Sequence, residues 1–129
     1  MLGVLLVLHG SRIESWQETA LGYVNLLRKH FDNVEYGFIE FNTPTLREAA
    51  EKLASKGVSE IVAVPLLFAA GTHFKRDIPR LLNLEGSAIR VGETRIPVRV
   101  AEPIGVDERI SQILKERVEE ALAAGITLE

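Results

Sequence analysis

A chain of 129 residues has room for one compact domain, and with 47% hydrophobic and 26% charged residues it is not a disordered segment. Its formal net charge of −3 withholds the broad basic surface that nucleic-acid binding requires. Cysteine is absent, which excludes disulfides, thiolate nucleophiles, iron–sulfur clusters and Cys-based zinc sites, and leaves His9, His30, His73 and the carboxylates as metal-binding candidates.

The apolar start, Met1 to Leu8, is too short to span a bilayer and lacks a basic n-region and a small-residue cleavage site. The chain is therefore expected in the cytoplasm, without a membrane partner. Leu2 to Leu8 is an unbroken apolar run, the pattern of a strand buried on both faces of a parallel sheet. From about Glu14 to His30, Trp16, Ala20, Tyr23, Val24, Leu27 and Phe31 recur at helical spacing. Val34 to Phe41 reads as a second strand. Thr43 then suits a helix N-cap with Pro44 at the first helical position, and that helix runs to about Lys56 and stops at Gly57.

Glu60 to Leu67 is a third buried strand, leading into Phe68-Ala69-Ala70-Gly71-Thr72-His73. A short helix is expected from about Asp77 to Asn83, because Pro79 is best tolerated in a first turn. Glu85 to Arg95 reads as an irregular loop or hairpin. Ile96 to Ala101 is the fourth strand, and the last helix, about Asp107 to Ala123, carries Ile110, Ile113, Leu114, Val118 and Leu122 on one stripe before Gly125. Strand and helix thus alternate over residues 1–129 without a linker. The expected fold is a single α/β domain with a mostly parallel four-stranded sheet and helices on both faces.

Ligands in such folds bind beyond the carboxyl ends of the strands. His9, Glu40 to Thr43, Phe68 to His73 and Glu102 to Gly105 all fall there. Each imidazole could simply hydrogen-bond a loop backbone, or His9 and His73 together could engage an ion. Two imidazoles make a poor structural zinc site but suit an ion that must leave again, and they do not discriminate among cobalt, nickel, iron, zinc and copper. His30, near a helix C-terminus, is favoured there by the helix dipole and is given no catalytic role. Arg12 beside His9, and Lys75, Arg76 and Arg80 after His73, suit a ligand bearing several carboxylates. No Gly-x-Ser-x-Gly elbow, P-loop or Gly-x-Gly-x-x-Gly occurs, which argues against serine hydrolases and nucleotide enzymes.

Several blocks resemble the short, CbiX-type sirohydrochlorin chelatases, nearly end to end. They are Leu8-His9-Gly10-Ser11-Arg12, Phe38-Ile39-Glu40-Phe41 with Pro44-Thr45, Val64 through His73, Arg76-Asp77-Ile78-Pro79-Arg80-Leu81-Leu82, and Glu102-Pro103-Ile104-Gly105. The resemblance implies a lyase that inserts Co2+ or Ni2+, or less readily Fe2+, into sirohydrochlorin without ATP or any organic cofactor, the metal being a substrate. It implies His9 as proton acceptor and metal ligand, His73 as second ligand, and Glu40 as a proton relay. Thr43, Phe68, Ala69, Ala70, Gly71, Thr72 and His73 would line the macrocycle, with Arg12 and Arg76 on its carboxylates. Some relatives carry an acid where Thr43 stands. A non-catalytic metal or tetrapyrrole carrier on the same fold is the alternative.

Longer relatives contain two such domains, whereas one domain offers only an open shelf of strand-end loops. A homodimer that closes a cleft over both faces of the macrocycle is therefore expected.

Overall fold

The computed structural model describes residues 1–69 and 74–125. Strand β1 (Leu2–Leu8) runs between β2 (Val34–Phe38) and β3 (Glu60–Pro65), parallel to both. Its alternate residues feed two cores. Leu5 and Val7 join one face with Ile61 and Ala63, and Val4, Leu6 and Leu8 join the other with Val34 and Phe38. An unbroken apolar run is what such a doubly covered strand requires.

Helix α1 (Glu14–Leu27) covers the second face through Ala20 and Val24, both fully buried. It ends at Leu27 rather than His30, and Tyr23 and Phe31 of its predicted stripe remain exposed. Helix α2 (Leu46–Ser55) and helix α3 (Phe74–Leu82) lie on the first face, through Leu46, Ala49, Ala50 and Leu53 of α2 and Ile78 and Leu82 of α3.

Three local readings are corrected. Strand β2 stops at Phe38, not Phe41. A Cβ on Gly37 would lie 2.8 Å from Leu46 Cα and from the Thr45 carbonyl oxygen, and the Phe38 N–H donates to Pro44 O, so the chain has already turned toward α2. The N-cap of α2 is Thr45, not Thr43. Its hydroxyl accepts the Glu48 N–H at 3.1 Å and the Glu48 carboxylate accepts the Thr45 N–H at 3.0 Å, a reciprocal capping box. Pro44, joined to Thr43 by a cis peptide bond, stays outside the helix. Helix α3 starts at Phe74 rather than Asp77, so Pro79 sits inside it; the lost N–H bond is offset by the complete burial of Ile78 and Leu82.

The segment left as loop or hairpin is a hairpin. Strand β4 (Ala88–Val91) turns through Gly92, at φ 63°, into β5 (Thr94–Val100), which pairs parallel to β3. Among the described residues the sheet therefore has five strands, not four, in the order β2-β1-β3-β5-β4, with only β4 antiparallel at the edge. Helix α4 (Glu108–Ala124) is capped by Asp107, which accepts the Arg109 N–H, and by Gly125 in the left-handed region at φ 65°. The Arg109 guanidinium, and then the Arg109 N–H, hold the Asp107 carboxyl well below the usual carboxylate range. No helix among the described residues is long and apolar enough to cross a membrane.

Candidate active site

Because β1, β2, β3 and β5 are parallel, His9, Glu40, Phe68 and Glu102 emerge at one edge of the sheet. There His9 pairs with Glu40: Nε2 lies 3.3 Å from Oε1, and the two side chains are 58% and 49% exposed. Both are open enough for an approaching ligand to reach the pair.

The backbone beneath this pair is tightly held. The Ile39 N–H donates to Leu8 O at 2.8 Å, continuing the β1–β2 ladder past the last paired residue. The Ser11 N–H donates to Asn42 Oδ1 at 2.7 Å, and the Asn42 N–H donates to Glu40 O at 2.8 Å. Gly10 is buried between them, and a Cβ there would lie 1.4 Å from the Glu40 carbonyl oxygen. Only glycine lets the two loops come this close. From the other side, the Trp16 indole N–H donates to His9 O at 2.8 Å.

Beside His9 opens a hollow of about 490 Å³ lined by His9, Gly10, Ser11, Ile13, Trp16 and neighbouring α1 residues. Arg12 turns instead to Phe41, with its guanidinium carbon 4.9 Å from the ring centroid. Phe41 is 60% exposed and sits at φ 68°, a rare conformation for a bulky side chain. The loops after β3 and β5 are joined: the Ile104 N–H donates to Leu67 O and the Gly105 N–H to Phe68 O, at 2.9 and 2.8 Å.

His9 and Glu40 are thus brought together, with Arg12 on the flank. Phe68 and Ala69 stand exposed at the same edge, and Arg76 is exposed in the first turn of α3. Thr43 lines a separate small hollow with Gln17, Leu21, Tyr36 and Phe38. Ala70, Gly71, Thr72 and His73, and with them the expected pairing of His9 with His73, lie outside the described residues. His30 is exposed in the turns after α1. Among the described residues, no three His, Asp or Glu side chains are grouped to hold an ion.

The sequence reading gave Ile13 and Trp16 no place at the site, and it placed Phe41 and Asn42 in the strand-end loop without a role. Trp16 carried a signal, since an indole N–H near a buried boundary needs an acceptor. Phe41 carried none, because its positive φ is imposed by the loop it closes.

The CbiX family model matches residues 3–121. A sirohydrochlorin cobaltochelatase of Sulfurisphaera tokodaii is 64% identical over 123 residues, 95% of each chain. The sirohydrochlorin chelatase SirB from Bacillus subtilis subspecies spizizenii, solved in complex with cobalt, superposes with a TM-score of 0.80 at 29% identity. The alignment takes in 92% of this chain but 50% of SirB, so this chain spans about half the length of that relative. A cobalamin (vitamin B12) biosynthesis CbiX protein from Marinobacter aquaeolei superposes with a TM-score of 0.74 at 27% identity, over 97% of this chain and 98% of that one. With a family match running from residue 3 to residue 121, the chain belongs to the CbiX family.

Proposed function

We propose that this chain is a sirohydrochlorin chelatase that inserts Co2+ into the macrocycle, and that Ni2+ and, less readily, Fe2+ serve as alternative substrates. The observation that carries the reading is the His9–Glu40 pair, 3.3 Å apart and open to solvent, in a chain 64% identical to a sirohydrochlorin cobaltochelatase. Insertion exchanges the two inner pyrrole N–H protons for one divalent ion. The His9 imidazole accepts a proton from a pyrrole nitrogen, and the Glu40 carboxylate, 3.3 Å from Nε2, stabilises the imidazolium that forms or passes its proton on to water. His9 and His73 present the entering metal, which must then leave them for the four pyrrole nitrogens. Imidazole suits all three metals, so ligand type does not rank them. The reaction needs no organic cofactor, and the working unit is a cytoplasmic homodimer whose two shelves enclose the macrocycle.

The test is anaerobic mixing of purified protein with sirohydrochlorin and each metal, followed by visible absorbance. The expected result is many turnovers per chain with Co2+, at rates well above those of metal alone. A carrier would give at most one equivalent, and no acceleration with any of the three metals overturns the reading.

The macrocycle's peripheral carboxylates are held by the cationic rim. Arg12→Gln and Arg76→Gln should therefore each raise KM several-fold, increasingly at low salt, while kcat changes less. Steady-state kinetics at two salt concentrations check this. A KM unmoved by both substitutions together would place the carboxylates on backbone N–H groups instead.

A further inference from the structure

The His9 side chain is aimed by two peptide groups, one on each side of its Cα. The Leu8–His9 peptide is fixed by the sheet, because Leu8 O accepts the Ile39 N–H at 2.8 Å. The His9–Gly10 peptide lies beyond the last paired residue of β1 and has no place in the ladder. Its carbonyl is held instead by a side chain, the Trp16 indole, whose N–H donates to His9 O at 2.8 Å. Each peptide is a rigid plane, so fixing both planes fixes the two backbone angles of His9 and the direction of its Cα–Cβ bond. The wedge of Gly10 against Glu40 O stops the two loops from closing further, but a steric wall does not set the rotation of the peptide in front of it.

Trp16 is built into the fold at the right place for this. It is the third residue of α1, its ring packs against the core that β1 shares with α1, and Ala20, one turn on, is fully buried there. Helix α1 starts without a side-chain cap, since Ile13 at its N-cap has no polar side-chain atom. The indole thus ties the first turn of α1 to the carbonyl just past β1. It also lines the hollow beside His9.

We propose that Trp16 is a positioning residue for His9: through the His9 carbonyl it sets the peptide that aims the imidazole at Glu40, without touching the reacting atoms itself. The inference deepens the chelatase reading and rests on His9 as its proton acceptor. The Trp16–His9 bond is open to solvent, so water replaces it at little cost in stability. Water does not replace it in direction, because a mobile donor leaves the peptide free to rotate. Its loss should therefore appear in turnover and not in melting.

Trp16 is the single tryptophan of the chain, so replacing tryptophan throughout changes this one position. Expression in a tryptophan auxotroph fed benzothienylalanine puts sulfur where the indole N–H stood and keeps the shape of the ring. The expected result is a kcat for Co2+ insertion lower by on the order of 10-fold, with the KM for sirohydrochlorin and the melting curve unchanged. Trp16→Phe should reproduce the loss in kcat, and protein made with fluorotryptophan, which keeps the donor, should match the parent. A benzothienyl protein that turns over at the parent's rate leaves Trp16 as packing only and overturns the proposal. A KM that rises as kcat falls overturns it too, since the ring would then bear on the macrocycle. So does a melting temperature that falls below the assay temperature, or a fluorotryptophan protein as slow as the benzothienyl one.

A second readout needs no turnover. The ring signals of His9 in the nuclear magnetic resonance spectrum of histidine-labelled protein are identified by their loss in His9→Ala. They should shift or broaden in the benzothienyl protein while those of His30 stay in place. Unmoved His9 signals overturn the positioning role. Displaced His9 signals, in a protein whose parent form accelerates no metal insertion, overturn chelation alone and leave the hold of Trp16 on His9 standing.

Discussion

His9→Ala should lower the rate of metal insertion by about 10²–10⁴-fold, the range expected when a positioned proton acceptor is lost. The fold should survive. The His9 side chain is 58% exposed, and the Trp16 indole holds the His9 carbonyl, which alanine retains. Thermal unfolding should therefore stay within about 0.5 kcal/mol of the parent, as for other exposed substitutions. Glu40→Gln keeps a hydrogen-bond acceptor beside Nε2 but removes the negative charge, so its loss should be smaller, on the order of 10-fold. Because the adjoining hollow is open, added imidazole should restore part of the His9→Ala rate without restoring that of Glu40→Gln. His30→Ala should be indistinguishable from the parent. Initial rates from visible absorbance, paired with melting curves, decide it. A His9→Ala protein within twofold of the parent would remove His9 from the chemistry.

What could be read from the residues depended on how local the determining interaction was. The Leu2–Leu8 run has to be buried on both faces wherever it goes, so its position in the middle of the sheet was legible. The strand-end placement of His9 and Glu40 followed from the alternation of elements alone. The β4–β5 hairpin was blurred because Arg90, Glu93 and Arg95 sit at an edge where polar side chains cost nothing. The α2 cap was misplaced for the opposite reason. Two threonines flank Pro44, and the preference for proline at a first helical position drew the reading to Thr43. The decisive signal was Thr45 with Glu48 three residues on. At the site, the Arg12–Phe41 stacking and the Trp16–His9 bond depend on where side chains point after the loops meet, which periodicity does not encode. The α4 stripe was plain, but the absence of anything beneath it in its own chain was not.

Among the described glycines, Gly10 should be the one whose replacement by alanine is most damaging. The added Cβ would fall 1.4 Å from the Glu40 carbonyl oxygen and 2.5 Å from its carbon, backbone atoms that no rotamer change can move aside. Relief requires the ends of β1 and β2 to part, which strains the Ile39-to-Leu8 bond and the Ser11-to-Asn42 bond. Overpacking together with weakened hydrogen bonds costs about 3 kcal/mol, or roughly 10 °C in melting temperature. The functional loss should be larger than the stability loss suggests. Any shift that separates Gly10 from Glu40 also separates His9 from its carboxylate, and a displacement of about 1 Å can cost on the order of 10²-fold. Gly22 in α1 provides the control, since nothing lies within 4 Å of a Cβ there and alanine favours the helix. Gly22→Ala should therefore stabilise by about 0.5–1 kcal/mol with unchanged turnover. Differential scanning calorimetry on both variants, with rates measured well below each melting point, separates misfolding from misplacement. A Gly10→Ala protein that melts with the parent and turns over at its rate would mean that the close approach of the two loops is not what holds His9 and Glu40 together.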